Sequence, residues 1–172
     1  MSASTPLPES IAALLPGDHR RMPAVRLDDG RWVVAGEYAI IVAAEAGARS
    51  DGSPAEVIDS GMWYEVATVA WNGESRRLTC TWVDPARTPL TGVTDSQDPA
   101  DFMRVVTERV NRTMVTTKQL TTASGTTLTC WIRRREDDAL ISVLVADGPL
   151  DDAGEAAAAR FEAQVREGVG LD

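Results

Sequence analysis

Histidine, cysteine and clustered carboxylates are the side chains most able to carry out chemistry, and this chain holds few of them in workable patterns. His19 is the only histidine, next to Arg20 and Arg21. A lone imidazole excludes a His-rich metal site and paired-histidine chemistry. The two cysteines, Cys80 and Cys130, each close a Leu-Thr-Cys triplet in a strand-like run. Both fall in phase with apolar neighbours, so they read as small core residues with free thiols. A Cys-His nucleophile would need one thiol to open onto solvent beside His19, and the strand phase argues against it. Asp28-Asp29-Gly30 is turn chemistry. Asp98, Asp101, Asp151 and Asp152 stand where helix N-termini need acceptors. Residues 147–152 lack the alternating oxygen ligands and closing glutamate of a calcium loop. No glycine-rich segment ends in Gly-Lys-Ser/Thr, and no Gly-x-Ser-x-Gly occurs. The sequence therefore offers no catalytic residue, no metal ligand set and no cofactor motif. An enzyme with an unrecognised site is the least supported of the functional readings.

Charge is the more informative signal. Residues 101–135 carry seven basic side chains against two acidic ones, while residues 136–172 carry two against ten. Within the basic stretch, Trp131, Arg133 and Arg135 alternate onto one strand face, opposite Leu128, Cys130 and Ile132. A tryptophan with two guanidinium groups can hold an anion or an acidic loop of a partner. Arg104 and Arg112, on a neighbouring helix, are candidates for the same surface. The competing expectation is a solvated, self-paired surface, because Glu136, Asp137 and Asp138 follow directly and can neutralise the arginines. The five tryptophans read mainly as packing residues, with Trp71 and Trp82 expected to pair across a hairpin.

These residues must be positioned by a chain of 172 residues with 44% hydrophobic and 25% charged residues. That is the composition of an ordinary globular domain, not of a disordered or disulfide-framework chain. The net charge of −9 opposes binding to nucleic acid or to an anionic membrane surface. Residues 1–16 hold no basic side chain and only a short apolar run, unlike a secretory signal. No stretch approaches the ~18 apolar residues of a membrane span. A cytoplasmic setting without membrane insertion is the expectation.

Along the chain, residues 1–18 read as a loose tail, with one or two helical turns at residues 9–15. Strands are expected at 24–27, 32–35, 38–43, 56–59, 63–71 and 76–83, with turns at Asp29-Gly30 and Asn72-Gly73. Residues 44–54 and 84–97 read as loops. Asp98 and Pro99 start a helix that runs to Met114, with Phe102, Val105, Val106, Val110 and Met114 on its apolar face. Strands at 115–122 and 126–135 form a hairpin. Residues 139–146 are apolar almost throughout, the pattern of a central strand buried on both faces. Asp151 or Asp152 caps a last helix that stops near Gly168.

The order of meandering strands followed by one amphipathic helix resembles the pleckstrin-homology-like superfold. Trp32-Val33-Val34-Ala35, Trp63 with Val66, Ala67 and Trp71, Arg109-Val110, Trp131 to Arg135, and Asp147 to Asp151 before an alanine-rich helix resemble a group of small uncharacterised actinobacterial proteins. The likeness covers roughly residues 20–168, and the chain departs from the group at its 44–54 loop and at Asp151-Asp152-Ala153. The resemblance implies a fold and a cytoplasmic setting and brings no activity with it. The expected architecture is α+β and mainly antiparallel. It comprises the tail 1–18, a pleckstrin-homology-like part over 19–115, and a βββα extension over 116–172. A single large sheet with both helices on one face is the alternative. The expected function is a non-catalytic module for protein–protein interaction or self-association. The alternatives are a binder of a small anion through Arg104, Arg112, Trp131, Arg133 and Arg135, or an enzyme.

Overall fold

In the computed structural model, described over residues 6–16, 22–48, 52–96 and 98–171, the strands form three antiparallel sheets. The chain divides into two compact units: residues 1–82 with 87–111, and residues 83–86 with 112–172. His19 lies outside the described residues.

The N-terminal unit begins with a single helical turn, α1 (Glu9–Ala12). Strands β1 (Ala24–Arg26), β2 (Arg31–Ala35), β3 (Ala39–Ala44) and β4 (Glu56–Met62) then meander into a four-stranded sheet in sequence order. Strands β2 and β3 are apolar on both faces, so both faces must be covered. One face sends Val33, Ala35, Ile40 and Val42 into the main core. The other presents Trp32, Val34 and Ala43 to Ile11 and Leu15. Residues 7–16, expected as loose tail, thus cover a sheet face: Ile11 is completely buried.

Trp63–Glu65, expected as the start of a strand, is instead a short 3-10 helix. Its Trp63 indole donates to the Gly36 carbonyl at 3.0 Å. The second sheet holds β5 (Val66–Asn72), β6 (Arg77–Trp82) and β7 (Leu90–Val93). Strand β7 falls where a continuous loop was expected. Pro89 and Gly92 disguise it, and Gly92 is needed: a Cβ there would come within 2.5 Å of Leu27 Cδ1. Trp71 stands opposite Leu78 and Trp82 opposite Val66, so these two tryptophans are not a cross-strand pair. An isolated bridge between Leu27 and Thr94 joins the end of each sheet.

Helix α2 (Ala100–Thr113) starts where Asp98 accepts the Ala100 amide at 3.1 Å. Phe102, Val106 and Val110 recur at helical spacing and enter the main core. The helix stops before Met114, which is the first residue of a strand and is exposed.

The C-terminal unit is a three-stranded sheet, β8 (Met114–Thr121), β9 (Thr127–Arg134) and β10 (Leu140–Ala146), followed by α3 (Asp152–Glu167). Asp151 caps α3, its carboxylate accepting the Gly154 amide at 2.7 Å. The strand order is β10-β9-β8. Cys130 and Ile132 of β9 are buried with Val165, and Leu140, Leu144 and Phe161 pack around them. Strand β10 is therefore an edge, not the central strand that its composition suggested, and all seven of its residues are only half-buried.

Candidate functional site

The five residues singled out as a possible anion surface do not behave alike. Arg104 projects from α2 into solvent, 4.0 Å from Glu108 one turn on, and belongs to the N-terminal unit. Arg112 is exposed in the last turn of the same helix. Trp131 and Arg133 are brought together by the two-residue repeat of β9. The guanidinium carbon of Arg133 sits 4.9 Å from the Trp131 ring centre, a cation–π contact. Arg133 is nevertheless completely buried, and donates to the Thr113 hydroxyl at 3.0 Å. Burial lowers the affinity of its guanidinium for the proton. Arg135 lies just past the strand, its Nη2 3.9 Å from Glu136 and 3.5 Å from Asp137. The solvated reading of this face thus fits Arg135 and fails for Arg133. The alternation seen in the sequence gave the right face, but not the cover over it.

The cysteines are equally unlike a reactive pair. Both are free and buried. Desolvation pushes the Cys80 thiol up to about 12 and raises that of Cys130. A thiol held protonated in this way is a poor nucleophile and a poor metal ligand at neutral pH. Among the described residues no cluster of three or more His, Cys, Asp or Glu side chains could hold a metal ion. Among them, too, no helix is long and apolar enough to cross a membrane.

No family model, curated protein or solved structure matches this chain. The feature that stands out in the molecule is an edge strand whose apolar composition would suit an interior.

Strand β10 reads Leu-Ile-Ser-Val-Leu-Val-Ala and carries no charge, proline or glycine. Its register on β9 sets Ser142 opposite Ile132 and Leu144 opposite Cys130, toward the α3 side. Ile141, Val143 and Val145 stand opposite Arg133, Trp131 and Thr129 on the other face. An edge strand offers a row of unpaired backbone donors and acceptors, and proteins normally guard it. The other edges here are guarded. Strand β1 has three residues, and β7 has four including a glycine. Strand β4 carries Glu56 and Asp59 and pairs through a register shift. Strand β5 is shifted between Val66 and Thr68. Strand β8 carries Lys118 and is shifted between Met114 and Thr116. Among the described residues, β10 is the one edge strand with none of these devices.

Proposed function

We propose that this chain is a non-catalytic interaction module that recognises a protein by strand addition at β10. The observation that carries this reading is the unguarded edge: seven uncharged, half-buried residues with backbone groups on their outer side. Strand addition takes its affinity from main-chain hydrogen bonds and its specificity from alternate side chains. Here Ile141, Val143 and Val145 supply one set and Leu140, Ser142 and Leu144 the other.

In the same reading the N-terminal unit is a pleckstrin-homology-like scaffold, and the C-terminal strands and helix are an extension that presents the edge. A four-stranded and a three-stranded meander followed by one helix support the first part. The two free thiols suit a reducing cytoplasm. The anion-binding alternative is weakened by the burial of Arg133 and by the acidic neighbours of Arg135. The enzyme alternative is weakened by thiols held protonated.

The test is native mass spectrometry of the chain isolated gently from its own cells, beside a Val143→Lys variant. The expected result is a stoichiometric protein complex that the lysine abolishes. A bare monomer, or a chain carrying only a small anion such as phosphate, overturns the reading.

A further inference from the structure

We infer that the partner at β10 is a second copy of this chain, paired edge to edge about a two-fold axis through Val143. The inference rests on the interaction-module reading and names its occupant.

Self-pairing of antiparallel strands is restrictive. A two-fold axis perpendicular to the sheet keeps each face on its own side, so one residue must stand opposite itself. A strand with an odd number of residues can then overlap completely, and β10 has seven. Centring on Val143 sets Ser142 opposite Leu144 of the second copy, Ile141 opposite Val145, and Leu140 opposite Ala146. Every residue of the strand finds an uncharged partner, and no like charges meet. Ile141, Val143 and Val145 double into a six-residue β-branched strip on one face. Two three-stranded sheets become one of six strands, and each β10 moves from edge to interior. That is the environment for which its composition is suited.

The other long edges do less well: centring the seven residues of β4 on Asp59 would oppose two carboxylates, and β5 loses its full overlap to the register shift between Val66 and Thr68. Centring β8 on Lys118 would oppose two lysines, and the register shift between Met114 and Thr116 breaks the pairing at its start.

The helices fit the same axis. Helix α3 lies over β9 and β10, with Ser142 of β10 donating to Glu162 at 2.6 Å. With strands ~4.8 Å apart, a helix above the β9–β10 seam lies about 5 Å from the axis, so the two copies of α3 would lie about 10 Å apart. Packed helices sit at ~8–10 Å. Glu162 and Arg166 of α3, one charge of each sign, both reach Ser142 of β10. The chain's net charge of −9 opposes association in general, but at ~0.1 M salt it is screened beyond ~10 Å. The edge itself is neutral.

The experiment uses the purified full chain alone. Sedimentation over a concentration series should show a monomer–dimer equilibrium. Val143→Lys sets two ammonium groups face to face and should raise the dimer Kd by about a hundredfold or more, with the helical circular dichroism unchanged. As a second measurement that does not depend on the lysine variant, Val143→Cys should crosslink to itself under mild oxidation, since directly opposed Cα atoms lie ~4.5–5.5 Å apart. Ser142→Cys should not, because its copies would be about 8 Å apart. A monomer at all concentrations overturns the inference, as does a dimer indifferent to Val143→Lys or crosslinking equally at both positions. If the pure chain is monomeric but the gently isolated protein carries a different chain, lost in Val143→Lys, the second copy is excluded and the module reading survives. If neither species forms, both fall.

Discussion

The two units spend their hydrophobic residues differently. In the N-terminal unit, Val33, Ile40, Trp63, Val66, Leu78 and Phe102 converge from both sheets and α2 on one interior, and a further cluster under Trp32 covers the outer face of the first sheet. Its polar side chains also pair with one another, near the surface: Arg26 holds both Glu45 and Asp95, and Glu45 in turn accepts the Trp32 indole. In the C-terminal unit the corresponding cluster has only Cys130, Ile132 and Val165 fully inside. A strand of nearly unbroken apolar residues is left at the rim. Small assemblies of strands and one helix bury a smaller fraction of their surface than larger ones. Apolar content alone therefore does not mark a core. In one unit it is consumed by the core, and in the other part of it stays half-buried on an edge strand.

Substitutions in each unit test that contrast. The largest effect is expected in the N-terminal unit, where Trp63→Ala should remove both ring packing and the bond to Gly36 and cost about 3–5 kcal/mol. Urea unfolding followed by amide exchange should locate the loss in β2, β5 and α2; a loss below about 1 kcal/mol would mean this core is less tightly packed than its burial implies. In the C-terminal unit, Arg133→Ala should cost about 2–4 kcal/mol, since it deletes a buried side chain together with its contacts to Trp131 and Thr113. Arg133→Met should cost clearly less, because it keeps the volume and removes a desolvated charge. If the alanine and methionine variants melt alike, the charge rather than the packing is what matters there.

How much of this could be read beforehand depended on how local the cause was. The α+β class and the antiparallel hairpins followed from Asn72-Gly73, from Asp98-Pro99 and from alternation in β6 and β9, all set within a few residues. The edge position of β10 did not follow. An apolar strand looks the same whether its neighbours come from its own chain or from another. Strand β7 was hidden because four residues with a glycine carry no period, and the need for Gly92 arises from Leu27, far away in sequence. The partnership of Trp131 and Arg133 was visible as a two-residue repeat, whereas the burial of Arg133 depends on tertiary cover that no repeat records. The end of α2 was missed because Met114 continues the helical spacing while beginning a strand.

The smallest expected effect concerns pH. The carboxyl of Glu45 is held below the ordinary value of 4.5, first by its bonds to Arg26 and then by the Trp32 indole. The unfolded chain therefore takes up the proton at higher pH than the folded one. The stability this group contributes is complete above the ordinary glutamate range and is lost as pH falls through the lower, folded value. Glu45→Gln should flatten the acid limb of the N-terminal unit's melting profile, followed by amide exchange in β2 and β3. An unchanged slope below pH 4.5 would mean that other carboxylates dominate the acid limb.

The bridge between Leu27 and Thr94 also sets an order of events during synthesis. Beside it, Arg26 reaches Asp95 across 69 positions of sequence. The unit made first therefore cannot close until most of its chain has left the ribosome. The unit made last pairs only successive strands, each with its neighbour in sequence. Local pairing is fast, and distant closure waits on the entropy of a long loop. The C-terminal strands can therefore pair with less delay than the two sheets that the Leu27–Thr94 bridge must bring together.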